Sequence, residues 1–421
     1  MKLLKSVLAT AALAAFATSA AHAATTIRIT GSTAYRTAVT NAIENIMGGS
    51  GNFEAVYRDS DSGVTSEINA KASIFKGNIT GANNPVTIKC FWSGSVGGVK
   101  TVAQSLTLAS SWIADAELTG TNGVTHKASP TYDGALTADI TMSDTRQSTT
   151  KFTSPALTAA RVGVVPFVWI KSNGAPSGLS NMTGLLARAL LSNPGIPLAQ
   201  FTGNSADTTM VLAVGRDQDS GTRVGAFAES GFGTLTAPIQ WKINGTGSVS
   251  NVELYPAQTI LGDSYTIGTS GYSGGGNVVS ALNLTGSATA PVYDTSAGAI
   301  GDPDALLYSG AYYVGYVGTS DAKSLTGHSQ NGTTGIFSST GALQVLTYNG
   351  VQYSYANVKE GLYTFWTYEY IMWRSGLGSD GVTVGNALKN EILNNTASLS
   401  GIKVGDMHAS RTIEGGVVGH N

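Results

Sequence analysis

The sequence predicts an α/β fold, and three observations lead to that prediction. From Thr26 onwards the chain follows a strand, turn, helix order, because the alternating β-branched stretch Thr26–Thr30 precedes apolar residues at helical spacing in 39–47. The continuous apolar stretch Val162–Ile170 predicts a buried strand, which Pro166 would bend or place at a sheet edge. Strand-like and helix-like segments continue to alternate downstream, as they do in α/β domains.

The remaining elements follow from local patterns in chain order. Gly31-Ser32-Thr33 turns the chain after the first strand, and Gly48-Gly49 ends the first helix. Further strands are predicted at Phe53–Tyr57, Val211–Gly215 and Tyr312–Val317. Further helices are predicted at Met182–Leu191 and from Val224 onwards. The aromatic-rich segment Lys359–Arg374 is predicted to form a core helix. The Gly-, Ser- and Thr-rich stretch Gly245–Gly301 predicts a loop-and-strand insertion rather than a separate domain.

Composition excludes several classes of protein. The chain has 421 residues, enough for two or three domains of roughly 100–200 residues each. Charged residues make up 12 % and the net charge is −2, so the chain has no general attraction to nucleic acid, which requires a basic surface. Cys90 is the only cysteine, which excludes a disulfide scaffold. Because Cys90 precedes Phe91-Trp92 in a strand-like segment, we expect it to be a small buried hydrophobe.

The N-terminal segment has the features of a secretory signal peptide. Lys2 and Lys5 provide a positive region, the apolar run Val7–Ala17 follows, and Ala21-His22-Ala23 is an A-x-A cleavage signal. The apolar run is shorter than the roughly 20 residues that a membrane span requires. We therefore expect residues 1–23 to be removed and the mature protein to be exported to the periplasm or secreted, without a membrane span or a lipid-modified cysteine.

Three segments combine small residues, hydroxyls and backbone N–H groups at the start of a predicted helix. They are Gly31-Ser32-Thr33-Ala34, Gly94-Ser95-Val96-Gly97-Gly98 and the run Arg216–Thr222, in which an arginine lies four residues ahead of Ser220-Gly221-Thr222. A helix N-terminus offers unpaired N–H donors and the positive end of the helix dipole, and arginine offers a planar fork of donors. One such turn can be an ordinary helix cap, but three of them indicate a site for an oxyanion.

The order and spacing of these segments resemble the periplasmic phosphate-binding proteins of ABC transporters, a family with the two-lobed type II periplasmic binding protein fold. The resemblance extends over five segments: Thr30–Thr33 (TGST), Gly94–Lys100 (GSVGGVK), Asp139–Asp144 (DITMSD), Arg216–Thr222 (RDQDSGT) and Val314–Lys323 (VGYVGTSDAK). It implies an α/β fold with hinge strands near Val164 and Gly315 and with Gly/Ser/Thr-rich insertions. The implied lobes are residues 24–163, residues 164–315 and a return segment of the first lobe in 316–421.

The resemblance also implies the ligand contacts, residue by residue. Thr33 and Ala34 would donate from the first helix, and Ser95 would head the second. Asp144 would accept a proton from the ligand, and Arg216 would be its charge partner. Ser220, Gly221 and Thr222 would supply donors from the other lobe. The implied function is a non-enzymatic, monomeric solute-binding protein that captures phosphate or a similar oxyanion for an ABC permease, without cofactor or metal.

The aspartate gives the phosphate prediction a physical basis. A carboxylate only accepts hydrogen bonds, so it favours an oxyanion that carries a proton and repels one that does not. Phosphate keeps a proton near neutral pH and sulfate does not. Asp144 in the site would therefore select phosphate or arsenate over sulfate.

The sequence departs from the family pattern in three places. Gln218 occupies the position of the usual aspartate two residues after the arginine, and its amide could donate as well as accept. Val96 replaces the second serine of the Gly-Ser-Ser-Gly-Gly motif, which removes a hydroxyl but keeps the backbone N–H. The segment Lys100–Asp139 is much longer than the short connection of the family, which implies an inserted loop or hairpin.

Two further functions remain as alternatives. One is a surface or matrix protein on the same fold, in which the Gly/Ser/Thr-rich insertions serve adhesion. The other is a secreted serine hydrolase, because Gly271–Gly275 (GYSGG) matches the G-x-S-x-G nucleophile motif around Ser273, although its glycine-rich surroundings favour a flexible loop. The stretch 59–63 (DSDSG) begins like a calcium loop, but Val64 and Ala70 stand where Gly and Glu are needed, so we expect a solvated turn.

Overall fold

The computed structural model describes residues 25–58 and 70–421. The predicted signal peptide and the stretch 59–63 therefore lie outside the described residues. Within those residues, none of the helices combines the length and the apolar character needed to cross a lipid bilayer.

The described residues alternate between helices and strands, as an α/β chain does. The helices are α1 Arg36–Ile46, α2 Ser95–Ala103, α3 Gly184–Ser192, α4 Ala199–Thr202, α5 Gly221–Glu229, α6 Gly275–Leu282, α7 Thr319–Ala322, α8 Tyr355–Lys359 and α9 Ser379–Glu391. The strands are β1 Thr25–Gly31, β2 Phe53–Arg58, β3 Ala72–Gly77, β4 Val86–Phe91, β5 Thr107–Leu108, β6 Gly123–Lys127, β7 Leu136–Thr137, β8 Ile140–Ser143, β9 Leu157–Lys171, β10 Asn181–Met182, β11 Ile196–Pro197, β12 Met210–Val214, β13 Trp241–Thr246, β14 Ser248–Leu254, β15 Gln258–Ile260, β16 Asp263–Tyr265, β17 Val292–Tyr293, β18 Leu306–Tyr308, β19 Ala311–Gly318, β20 His328–Gln330, β21 Phe337–Ser339, β22 Thr347–Tyr348, β23 Trp366–Arg374, β24 Ala409–Ser410 and β25 Gly419–His420.

One 11-stranded sheet organises the protein into two halves. Its strand order is β11-β12-β19-β9-β23-β8-β1-β4-β3-β2-β6. Strands β4 and β8 run parallel to β1 in one half, and β12 runs parallel to β19 in the other. We call the half from β6 to β23 the first lobe and the half from β19 to β11 the second lobe. The predicted α/β class is confirmed.

Strand β9 belongs to both lobes. Its residues 157–166 pair with β23 of the first lobe, and its residues 167–171 pair with β19 of the second. Pro166 lies at this changeover, in the middle of the sheet, so the expectation of an edge position is wrong. Proline is tolerated there because a residue between two ladders can do without a backbone N–H donor.

The helices pack on the sheet and complete the core of each lobe. In the first lobe α2 packs on β1 and β8 while α1 packs against α9, and in the second α5 and α6 pack on β19. Residues 162–171 of β9 are all buried, which the apolar stretch there predicted. Cys90 is fully buried in β4, as expected for a small hydrophobe.

The prediction of a core helix over Lys359–Arg374 is wrong. The structure ends the short helix α8 at Lys359 and forms the central strand β23 from Trp366. The aromatic residues are numerous enough to match a helical spacing, which is why the sequence predicts a helix there. The strand β23 instead pairs with β8 on one side and with β9 on the other, and it is buried on both faces. A strand buried on both faces needs no alternation between apolar and polar residues, and the alternation from Trp366 to Tyr370 is lost in the apolar run 371–373.

Both long insertions contain regular structure. Within Lys100–Asp139, β5 and β7 form a small antiparallel pair and β6 adds to the sheet beside β2. Within Gly245–Gly301, the structure has short strands, as expected, together with helix α6. The expected flexible loop after Ser273 is therefore wrong, because the small residues of Gly275–Leu282 close a helical turn against Asp321 and β19.

Candidate anion-binding site

The predicted site segments all follow the carboxyl ends of parallel strands. Ser32 and Thr33 follow β1, Ser95 follows β4, and Asp144 follows β8 in the first lobe. Arg216 follows β12 in the second lobe. In α/β sheets these ends form the crevice where ligands bind, so the topology alone brings the segments to one place between the lobes.

The N-terminus of α2 contacts the second lobe directly. The N–H groups of Val96 and Gly97 donate to the carbonyl oxygen of Asp219, at 2.9 and 3.3 Å. Gly94 lies so close that a Cβ there would be 2.5 Å from the same oxygen. Two donors of the first turn of α2 are therefore used by a backbone carbonyl of the facing lobe, and the lobes are closed on each other at this point.

Asp144 lies between the N-termini of α2 and α5. The Oγ of Ser95 accepts a hydrogen bond from the Asp144 N–H at 3.2 Å. A Cβ built on Gly221 would be 1.5 Å from Oδ1 of Asp144 and 2.8 Å from the Cβ of Ser95. Oδ1 is buried and has no hydrogen-bond partner among the described residues. Three predicted residues from three separate segments thus form one contact cluster around an unsatisfied carboxyl oxygen.

Burial dominates the protonation of this carboxyl. Removal from water raises the pKa of Asp144 to about 6, and the hydrogen bond with Ser95 and the nearby Arg216 guanidinium counteract only part of that rise. Burial and the neighbouring Asp217 carboxyl also raise the pKa of Asp219 to about 7. Both groups therefore change charge near neutral pH, where phosphate changes its own protonation.

Arg216 is buried and held by the chain around Ser273. Its Nε donates to the carbonyl oxygen of Tyr272 at 3.2 Å, and its Nη2 donates to that of Ser273 at 2.9 Å. Arg216 also interacts electrostatically with Asp144 and Asp321. The guanidinium thus supplies the positive charge of the cluster from a fixed position in the second lobe.

Ser220, Gly221 and Thr222 begin helix α5, and all three are buried. The side chain of Ser220 caps the helix by accepting a hydrogen bond from the N–H of Arg223 at 3.3 Å. The N–H groups of Gly221 and Thr222 have no partner within a helix, by their position in its first turn. The predicted donors of the second lobe therefore lie at a helix start that faces Asp144.

Thr33 and Ala34 are half-buried in a 3₁₀ turn that precedes α1. They lie towards β19, where the Cβ of Ala34 is 4.0 Å from the place of a Cβ on Gly318. The Nε of Arg36 donates to the carbonyl oxygen of Thr33 at 3.1 Å, and Arg36 interacts electrostatically with Asp321 and Arg216. These two predicted residues adjoin the Arg216 side of the cluster rather than the Asp144–Gly221 contact.

Sequence reasoning missed Glu369 in the middle of β23. The side chain is fully buried, Oε2 accepts a hydrogen bond from the Ser32 hydroxyl at 3.1 Å, and Oε1 has no partner among the described residues. Burial and the nearby Asp144 carboxyl raise its pKa well above the ordinary range. A glutamate among alternating aromatics could have indicated a buried acid, but only once the segment is assigned to a strand.

The structure shows the surroundings of Gln218 and Val96, the two residues that differ from the pattern of the phosphate-binding proteins. The Gln218 amide is occupied within the second lobe, where Nε2 donates to the Thr269 carbonyl and Oε1 accepts from the Ser270 hydroxyl, both at 2.9 Å. Val96 lines a cavity of about 240 Å³ between the lobes together with Phe152 and Leu235. The valine thus replaces a hydroxyl where the surroundings are largely apolar.

The motif around Ser273 does not form a nucleophile elbow. The serine is exposed, its carbonyl binds Arg216, and helix α6 begins two residues later, but the nearest preceding strand β16 ends at Tyr265. An elbow requires a strand directly before the serine. In the part of the chain that the structure describes, no group of three or more His, Cys, Asp or Glu side chains is arranged to hold a metal ion.

Comparison with known proteins finds similarity in structure only. The sequence matches no protein-family profile, and no curated protein matches it. The chain is similar to a Clostridium perfringens protein with bound phosphate, described as a phosphate ABC transporter substrate-binding protein, at 14 % identity and a TM-score of 0.45, over 90 % of this chain and 99 % of that one.

Two further solved structures are similar to this chain. An ABC-type phosphate transport receptor of Vibrio cholerae matches at 10 % identity and a TM-score of 0.43, over 89 % of this chain and 96 % of that one. PstS of Borrelia burgdorferi matches at 12 % identity and a TM-score of 0.37, over 86 % of this chain and 92 % of that one. At these identities and TM-scores, the binding or transport of phosphate in the names of such proteins is a property of those proteins and is not thereby a property of this chain.

Proposed function

We propose that this protein is an exported, non-enzymatic binding protein that captures phosphate or a related oxyanion between its two lobes and delivers it to an ABC permease. The observation that carries the proposal is the cluster of Ser95, Asp144 and Gly221. Residues from three separate segments meet there, at the N-termini of α2 and α5, around a buried carboxyl oxygen without a partner. The similar solved proteins, two of which are named for phosphate transport, agree with this proposal.

The chemistry of the cluster fits a protonated oxyanion. The helix starts at Ser95 and Gly221 supply N–H donors and the positive ends of two helix dipoles. Arg216 supplies a full positive charge next to Asp144. Above its pKa of about 6, Asp144 is a pure acceptor, so the ligand must bring the proton that Oδ1 lacks. Hydrogen phosphate or arsenate meets this requirement at neutral pH, and sulfate does not.

Binding requires the lobes to open first. Asp144 touches Gly221, and the Asp219 carbonyl uses two N–H groups of α2, so an anion reaches these donors only after the contacts separate. Strand β9 joins the lobes through a single changeover at Pro166 and is the natural hinge. The same proposal includes the division of the chain into lobes. The chain passes from the first lobe to the second near Val164 and returns to the first lobe from residue 316 onwards.

The test is calorimetric titration of ligand-stripped mature protein with phosphate and then with sulfate at pH 7.5. We expect phosphate to bind at least 100-fold more tightly than sulfate, since an unpaired buried acceptor facing sulfate costs on the order of 3 kcal/mol. Asp144→Asn should reduce the preference to less than ten-fold, because an amide can also donate. The matched control Asp304→Asn, at an exposed residue in the second lobe, should leave both affinities unchanged.

The proposal fails if the unaltered protein binds phosphate and sulfate equally, or if it binds neither of these anions nor an organic phosphate ester. Absence of binding would favour the surface or matrix protein on the same fold. Labelling of Ser273 by a serine-reactive fluorophosphonate would favour the hydrolase.

A further inference from the structure

The cavity behind Val96 adjoins the candidate anion site through three of its segments. Val96 follows Ser95 in α2, Thr149–Phe152 lies a few residues after Asp144, and Gln218 and Val224 flank Ser220. The other walls come from 234–237 and from Tyr265 and Thr269 of the second lobe. The cavity is therefore located between the lobes, and opening the anion site also opens it.

The cavity walls combine apolar side chains with hydroxyls. The apolar surface comes from Val96, Phe152, Val224 and Leu235. Leu235 is 71 % exposed, so its apolar surface is accessible to a group that enters the cavity. The volume of about 240 Å³ exceeds the roughly 150 Å³ that suffices to hold a benzene ring in a protein interior. A small organic group therefore fits, whereas a bare phosphate ion would leave the apolar wall uncovered.

The charged groups of the cavity already have partners. The Lys151 ammonium lies 2.9 Å from the Asp263 carboxylate. The Arg223 guanidinium donates to the carbonyl oxygens of Arg216 and Thr269, both at 3.0 Å. With these charges satisfied, the cavity favours an uncharged group, and the threonine hydroxyls at its edge suit a few polar atoms.

We propose that the ligand is an oxyanion of the phosphoryl type carrying one small uncharged organic substituent, and that this substituent lies in the cavity lined by Val96, Phe152 and Leu235. This inference rests on the proposed oxyanion site and names its substrate class. The valine in place of the second serine then has a role, since it adds apolar contact where the substituent leaves the anion.

The experiment compares three ligands on the mature protein: inorganic phosphate, phenyl phosphate as an ester, and phenylphosphonate. We expect phenyl phosphate, phenylphosphonate or both to bind at least ten-fold more tightly than inorganic phosphate, and their ratio distinguishes an ester from a phosphonate. Ala237→Trp fills the cavity from its exposed edge and should weaken the organic ligands at least ten-fold, with phosphate changed less than two-fold. Ala356→Trp, at an exposed residue of α8, is the matched control and should change neither.

A second variant tests the same wall without adding bulk. Val96→Ser restores the hydroxyl of the family motif and should reduce the preference for the organic ligands at least three-fold. The inference is overturned if inorganic phosphate binds as tightly as both organic ligands, or if Ala237→Trp and Val96→Ser both leave the organic affinities unchanged; the proposed function then stands. If none of the three ligands binds, both proposals are overturned. Binding of the organic ligands without inorganic phosphate supports the inference and narrows the substrate class.

Discussion

Gly221 packs so closely against Asp144 that a Cβ on the glycine would lie 1.5 Å from Oδ1 and 2.7 Å from Cγ of the carboxyl group. This contact joins the first turn of α5 in the second lobe to the residue that follows β8 in the first. The backbone of Gly221 is not in the left-handed region, so it is the space, rather than the conformation, that requires glycine. Through this contact the Asp144 carboxyl, which lies beside the Ser95 hydroxyl, also meets the N-terminus of α5.

Gly221→Ala tests the contact directly. The methyl group would push against the Asp144 carboxyl and the Ser95 Cβ, which are both buried, so we expect the unfolding free energy to fall by about 1–3 kcal/mol. Phosphate affinity should fall at least ten-fold, as measured by calorimetry, because the methyl group would also occupy the space between Asp144 and Ser95 in which we place the anion. The matched control is Gly276→Ala in α6, where nothing lies within 4 Å of a Cβ. That substitution should leave binding unchanged, and equal effects of both would contradict the contact.

Asp144→Asn should alter the pH dependence of stability in phosphate-free buffer. Because the folded pKa is about 6 and the ordinary value is 3.8, the native state holds the proton that the unfolded state has lost. The folded protein therefore has its full free energy of unfolding below pH 4, where the Asp144 carboxyl is protonated in both states. It loses part of that free energy as the pH rises from 4 through 6.

The expected size follows from a shift of roughly 2 pKa units at about 1.4 kcal/mol each. The unfolding free energy of Asp144→Asn, relative to the unaltered protein, should rise by about 3 kcal/mol between pH 4 and pH 7 in urea titrations. A difference that stays constant over this range would show that the carboxyl is not buried as described.

Glu369→Gln should reduce the fall in the free energy of unfolding that the unaltered protein shows as the pH rises from 5 to 8. Since the pKa of the buried Glu369 is raised well above 4.5, the folded protein retains this proton while the unfolded chain releases it. The unaltered protein should therefore lose up to about 1.4 kcal/mol per pH unit between pH 5 and the folded pKa, and the variant should not. Glutamine keeps the shape and can still accept the hydrogen bond from Ser32. Thermal unfolding from pH 5 to pH 8 measures the slope, and identical slopes would refute the expectation.

Asp263→Asn should loosen the closed arrangement. The Asp263 carboxylate of the β15–β16 hairpin lies 2.9 Å from the ammonium groups of both Lys100 in α2 and Lys151, so it links the lobes. Its loss leaves the buried Lys100 with one fewer partner and should cost about 1–2 kcal/mol, below the value for a fully buried pair because the Asp263 side chain is one-third exposed.

The readout for Asp263→Asn is the radius of gyration from small-angle scattering, which should increase in the ligand-free variant. The same two lysines lower the pKa of Asp263, so its stabilising contribution is present at neutral pH and lost as the pH falls through the folded pKa. Asp406→Asn is the control, since its pair with Lys359 lies at the surface and does not link the lobes. An unchanged radius in Asp263→Asn would mean that this ion pair does not hold the lobes together.

Local patterns in the sequence were enough to predict much of the fold. The β-branched run at the start predicted β1, and the apolar stretch Val162–Ile170 predicted the buried part of β9. Both signals come from residues a few positions apart, which is the range over which periodicity is informative. The helix prediction failed at Trp366–Arg374, because a central strand buried on both faces does not keep the apolar–polar alternation along its whole length.

The site was predictable as a set of segments but not as a set of contacts. Ser95, Asp144 and Gly221 were singled out by motif, and the structure places them in contact. Glu369 and the Asp219 carbonyl escaped prediction because their roles depend on which strand or helix faces them across the lobes. The cavity at Val96 is likewise formed by residues over a hundred positions apart, so only the folded chain brings it together.

The most direct test of the oxyanion site is a crystal structure of the mature protein with arsenate, located by its anomalous scattering. We predict one arsenate between the N-termini of α2 and α5, within hydrogen-bond distance of Ser95, Asp144 and the Gly221 N–H, with the Asp144–Gly221 contact opened. Arsenate bound elsewhere, while Asp144 and Gly221 stay in contact, would contradict the account.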